Sequence, residues 1–109
     1  MAASVEKMLF IDLPFEQVYG VIGSALQQIG ATISYVDPHS CIFVASRKVS
    51  MTSWGETITI SPFRTSKGCS LRIKSECSLP TQLIDWGKNN ENIKNFSFAL
   101  SKILNTPIY

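Results

Sequence analysis

Charge of one sign is scarce in this sequence. Ten Lys and Arg against eight Asp and Glu leave a formal charge of +2 over 109 residues, too little to argue for a polyanionic partner by charge alone. Long apolar runs are missing too: none approaches the ~20 residues that cross a bilayer. Met1 to Val5 has no basic region, and the apolar stretch Met8 to Leu13 is interrupted by Asp12 and followed by Pro14, so no secretory signal is expected. Histidine occurs once, as His39 in a D-P-H-S turn, which leaves a metal site or a Cys–His nucleophile almost no support. Cys41, Cys69 and Cys77 form an odd set with no CxxC pair. They read as small buried residues of three strands, in a reducing, cytoplasmic compartment. No phosphate-binding glycine loop, no G-x-G-x-x-G and no G-x-S-x-G occurs. Nothing in the chain therefore assembles a catalytic constellation or calls for a cofactor.

What is present is enough to build a core. Hydrophobic residues make up 45% and charged residues 17%, and no repeat, low-complexity tract or linker divides the chain, so residues 1–109 read as one domain. Val5 to Leu13 is β-rich, with Val5, Lys7, Leu9 and Ile11 on one face. The period then changes. Phe15, Val18, Tyr19, Ile22, Leu26 and Ile29 recur at three and four, the stripe of an amphipathic helix that Pro14 opens and Gly30 closes.

Four strand-like segments follow. Ala31 to Val36 places Ala31, Ile33 and Tyr35 on one side, and Asp37 to Ser40 is a turn by composition. Cys41 to Ser50 begins apolar on both faces and then turns basic at Arg47 and Lys48. Met51 to Ser61 groups Trp54, Glu56, Ile58 and Ile60 on one face, and Pro62 to Gly68 reads as a polar turn. Cys69 to Leu79 alternates: Cys69, Leu71, Ile73, Ser75 and Cys77 point one way, and Ser70, Arg72, Lys74 and Glu76 the other. One core face and one wet face indicate an antiparallel sheet. Pro80 ends it. After a connection ending in D-W-G-K-N-N, Asn89 or Asn90 is a natural N-cap, and a second helix is expected from about Glu91 to Leu104.

The resulting order is β-α-β-β-β-β-α: an α+β fold with one curved antiparallel sheet of about five strands and two helices on one face. This order resembles a short helix-grip fold, the Bet v 1 and START-like group, and equally the TATA-binding-protein-like fold. P-F-E-Q-V-Y-G-V-I at Pro14–Ile22 is similar to the opening helix of small helix-grip proteins. T-Q-L-I-D-W-G-K-N at Thr81–Asn89 is similar to stretches of uncharacterised bacterial proteins of this shape. The helix-grip resemblance implies a space between sheet and C-terminal helix for a small apolar or amphipathic ligand. Full-size members have more strands and a longer last helix. The other resemblance would want aromatic wedges on the open face, which the wet face read here lacks, so nucleic-acid binding through the basic sheet face ranks last among the alternatives.

Two places carry candidate chemistry. Strand parity puts the Glu56 carboxylate on the apolar side, where it must pair, protonate or sit at a rim. It is then a polar anchor or general base at a pocket mouth. Alternatively a bulge at Gly55 flips the register and sends Glu56 into solvent. In the second place, Asp85, Lys88 and Asn89 converge with Gln82 on a ligand, with Trp86 as a stacking plate. Alternatively Trp86 plugs the end of the core, Gly87 turns the chain and Asp85 caps it. Lining residues for a ligand are Tyr19, Tyr35, Trp54, Glu56, Ile58, Ile73 and Phe96. The function expected is a non-enzymatic binding module. The alternative is an interaction or homodimer module that uses the sheet's face or edge, since apolar side chains on both faces of Cys41–Ala45 ask for a cover on both.

Overall fold

The computed structural model describes residues 3–47, 55–77 and 87–109. Trp54, Asp85 and Trp86, together with Lys48 and Gln82, lie outside the described residues. The elements are β1 (Ser4–Ile11), α1 (Phe15–Gln28), β2 (Thr32–Val36), β3 (Phe43–Arg47), β4 (Glu56–Thr65), β5 (Gly68–Cys77) and α2 (Lys88–Leu104). The five strands form one open antiparallel sheet in the order β1-β5-β4-β3-β2. Strands β2 to β5 meander, and β1 closes against β5. The chain must therefore cross from one edge of the sheet to the other between β1 and β2, and α1 makes that crossing.

Both helices cover the same face. Val18, Ile22, Ala25 and Leu26 of α1 and Ile93, Phe96, Ala99 and Leu100 of α2 are buried against Leu9, Ile11, Phe43, Ala45, Ile58, Ile60, Leu71 and Ile73 of the sheet. The helical period of three and four and the strand period of two thus converge on one core. α1 starts after Pro14, whose carbonyl accepts from the N–H groups of Gln17 (3.1 Å) and Val18 (3.2 Å). Its fixed φ suits the edge of a helix and no donor is lost. Gly30 follows the helix with φ 82°, a conformation that glycine adopts without strain.

Five local expectations change. β4 does not stop at Ser61: it runs through Pro62, which pairs with Leu71, to Thr65. β3 leaves β4 at the pair Phe43↔Ile60, so beyond Ile60 one edge of β4 is free, and a residue without an N–H is tolerated there. The turn shrinks to Ser66 and Lys67. α2 begins at Lys88 with Gly87 (φ 80°) as its N-cap, which places Asn89 inside the helix. A register irregularity between Ile33 and Tyr35 breaks the alternation, so Ile33 is half-buried while Tyr35 is 57% exposed. Cys41 precedes β3, half-buried with φ 62°, and only Cys69 and Cys77 lie in strands.

The outer face is less wet than its sequence implied. Ser70 is buried, and its register partners on either side, Phe10 and Phe63, stand beside it partly exposed, as does Met8. Phe63 entered this face because β4 continues past Pro62. Arg72 stacks on it at 5.4 Å and bonds Glu6 at 3.4 Å. The Ser70 hydroxyl is the one buried side-chain polar atom without a partner among the described residues.

Candidate functional site

At the end of the sheet where Glu56 of β4 lies between Arg47 of β3 and Cys77 of β5, the core turns polar. Glu56 is 2% exposed. The parity reading of this residue holds, and the solvent-facing alternative through a bulge at Gly55 does not. An ionised carboxylate in such a place needs hydrogen bonds. One comes from α2, where Asn92 Nδ2 donates to Glu56 Oε1 at 2.9 Å. The same amide nitrogen lies 3.1 Å from Ser75 Oγ, and Asn92 Oδ1 accepts from Arg47 Nη1 at 2.6 Å. Asn92 thus bridges a cation and a carboxylate that sit opposite each other on neighbouring strands.

The chain of bonds continues in both directions. Ser75 Oγ donates to Asn89 Oδ1 (2.9 Å), and Asn89 Nδ2 donates to the Ala3 carbonyl (3.0 Å) and lies 3.7 Å from Cys77 Sγ. On the other side Arg47 Nε donates to the Ile29 carbonyl at 2.9 Å. That carbonyl closes α1, so a cation is placed at the negative end of the helix dipole. Arg47 is half-buried, whereas Asn89 and Asn92 are 0% and 1% exposed. One network therefore ties α1, β3, β4, β5, α2 and the chain before β1 together.

Beside Arg47 the surface opens into a hollow of about 360 Å³. Its walls are Gln28 and Ile29 from the end of α1 and Asn95, Phe98, Ala99 and Lys102 from α2. Phe98 is 66% exposed, with the Lys102 ammonium 5.4 Å from its ring. Phe98 stands on the flank of the buried stripe Ile93, Phe96 and Leu100. The arrangement offers two cations, an aromatic surface and a buried polar network reached through Arg47.

The remaining sequence-derived candidates separate. Ile58, Ile73 and Phe96 are fully buried and pack the interface between sheet and α2 next to the polar cluster. Tyr19 is half-buried on α1, 5.7 Å from Phe15 and 5.4 Å from Phe43, ring centre to ring centre. Tyr35 stands exposed near the other edge, and Lys88 begins α2, half-buried. Arg47, Ser75 and Asn92 were not singled out by the sequence. The readable signal was Asn89 and Asn92 spaced three apart in line with Ile93, Phe96 and Leu100: polar residues on the core stripe of a helix.

Burial pushes the Cys69 thiol above its ordinary range, so it stays protonated and unreactive at neutral pH. Among the described residues no cluster of three metal-ligating side chains occurs, and no helix is long and apolar enough to cross a membrane.

No family model matches this chain, and no curated protein matches it. Solved structures do. The protein MLL2253 of Mesorhizobium loti superposes with a TM-score of 0.65 at 14% identity, over 96% of this chain and 97% of that one. The di-domain ARO/CYC StfQ from the steffimycin biosynthetic pathway superposes with a TM-score of 0.56 at 9% identity, over 94% of this chain and 50% of that one. These likenesses are consistent with a helix-grip-like α+β fold.

Proposed function

We propose that the protein is a binding module for a small amphipathic molecule, taken where α2 meets the polar end of the sheet. The observation that carries this reading is the buried chain Arg47–Asn92–Glu56 ending on an open hollow. A core that needs only stability does as well with apolar residues, since a buried ionic network is no more favourable than a well-packed apolar one. The ligand's polar head is read as an anion or strong acceptor that meets Arg47 and Lys102. Its apolar part lies over Phe98, Ala99 and Ile29, with the wall of Phe96, Ile58 and Ile73 behind the cluster. The helix-grip-like architecture shared with a protein of a biosynthetic pathway supports a small-molecule site without naming its occupant. The thiols suit a cytoplasmic setting.

The test uses side chains that folding does not need. Wild type is expected to gain thermal stability with one or more members of a panel of medium-chain and aromatic carboxylates, by mass action. Lys102→Gln and Phe98→Ser are expected to keep the unliganded melting temperature and to lose most of that gain. A panel without effect on wild type, or equal gains in all three proteins, rejects the site.

A further inference from the structure

The opposite end of the sheet holds a second hollow, which that reading leaves unused. β4 and β5 run from the polar cluster, where Glu56 faces Cys77, to the turn where Thr65 faces Gly68. A cleft of about 400 Å³ lies beside this turn, lined by Phe10, Asp12, Thr65, Ser66, Lys67 and Tyr109, with Ile11 and Cys69 at its base. Its size falls within the ~300–1,000 Å³ that small-molecule sites occupy.

Its two walls are held by specific contacts. On one side, the N–H of Phe10 donates to the Tyr109 carbonyl at 3.1 Å, and the N–H of Tyr109 donates to the Phe10 carbonyl at 3.0 Å. Such a reciprocal pair is antiparallel, and it sets the two side chains next to each other on one face. Both rings remain open, 51% and 67% exposed. On the other side, Gly68 has φ 150° and lies so close to β1 that a Cβ would stand 2.5 Å from the Ile11 carbonyl and 2.7 Å from that of Leu13. Only glycine permits that approach. It packs the turn that carries Lys67 against the chain next to Asp12, which follows the Ile11↔Cys69 pair, and both residues line the cleft.

The charges here differ from their neighbours. Arg64 is engaged by Glu16 and Phe15, and Arg72 by Glu6 and Phe63. Asp12 and Lys67, among the described residues, enter no ion pair and no side-chain hydrogen bond, with each other or with anything else. The side chains of the cleft therefore present one free carboxylate, one free ammonium, three hydroxyls (Thr65, Ser66 and the Tyr109 phenol) and two open aromatic rings.

We infer that this cleft binds a small zwitterion with an aromatic body, the chemistry of a free aromatic amino acid. The ligand's ammonium meets Asp12. Its carboxylate meets Lys67 with the hydroxyls of Thr65 and Ser66, and its ring lies against Phe10 and Tyr109. A simple anion would be repelled by Asp12, and a neutral apolar molecule would leave both charges unanswered, so the pair selects for a ligand of both signs.

Calorimetric titration with L-phenylalanine, L-tyrosine and L-tryptophan tests this directly. At least one is expected to bind saturably at one site per chain. Lys67→Gln and Asp12→Asn, both at exposed positions, are each expected to weaken it about tenfold. Phenethylamine, which lacks the carboxylate, is expected to bind weakly and equally to wild type and Lys67→Gln. 3-Phenylpropionate, which lacks the ammonium, is expected to bind no more weakly to Asp12→Asn than to wild type. No saturable binding of any of the three amino acids at millimolar concentration overturns the proposal, and so does binding that neither substitution weakens.

Discussion

Asn92 uses both ends of its amide, one toward a guanidinium and the other toward a carboxylate and a hydroxyl. Removing it takes the amide hydrogen bond from buried Glu56 and one bond each from Arg47 and Ser75, which keep the Ile29 carbonyl and Asn89. Asn92→Ala is expected to destabilise the fold by about 2–4 kcal/mol in chemical denaturation, more than its lost contacts alone. A double-mutant cycle of Asn92→Ala with Glu56→Gln is expected to show coupling of about 1 kcal/mol or more. Additive losses would mean that the two residues do not share a network. Ser70 presents the reverse case. Its hydroxyl is buried without a partner, so Ser70→Ala is expected to raise stability by about 0.5–1.5 kcal/mol. Glu56 was legible in the sequence because a strand has a period of two and nothing shifts the register between Glu56 and Ile60. Tyr35 was misplaced because a single irregularity in β2 undoes that rule. The partners of Glu56 were hidden, since Arg47 and Asn92 sit 9 and 36 residues from it and only tertiary packing brings them together.

At the scale of elements, α1 was readable nearly to the residue, because an apolar stripe, a proline before it and a glycine after it all agree. β4 was not. Proline read as the end of a strand, and the sequence holds no sign that β3 stops two residues earlier and frees an edge. That extension matters, because it carries Phe63 onto the outer face and sharpens the turn that places Lys67. The turn in turn depends on Gly68. Gly68→Ala puts a methyl group against the carbonyls of Ile11, at the end of β1, and of Leu13, just after it, and is expected to lower stability by about 1–3 kcal/mol. An unchanged denaturation midpoint would show that the turn relaxes freely. The N-terminus of α2 was set too late in the sequence reading because two asparagines looked like caps. Of these two, Asn90 is exposed inside the helix, whereas Asn89, like Asn92, is committed to the core.

For the molecule as a whole, element order and helix placement followed from periodicity, whereas the adjacency of β1 and β5 and the polar end of the core did not. Stability should respond to pH at both extremes. The Arg64 guanidinium, bonded to Glu16, holds that carboxyl below its usual range, and the His39 backbone N–H, with Ser40, does the same for Asp37. Groups lowered on folding contribute stability above their unfolded pKa and lose it as pH falls through the folded value. The raised Cys69 thiol acts oppositely: its contribution is complete below the unfolded thiol pKa and declines as pH rises toward the folded one. A melting-temperature plateau between roughly pH 5 and 8 is expected, with Glu16→Gln flattening part of the acid limb. A melting temperature that keeps rising below pH 4 would contradict these assignments.

The central claim is that the polar end of the sheet and α2 hold a small amphipathic molecule. Native mass spectrometry of gently purified protein, set against its denatured mass, addresses it most directly. The expected result is extra mass on wild type that disappears on denaturation and is missing from Lys102→Gln. A bare chain under all conditions, or an adduct retained equally by Lys102→Gln and Phe98→Ser, would contradict it.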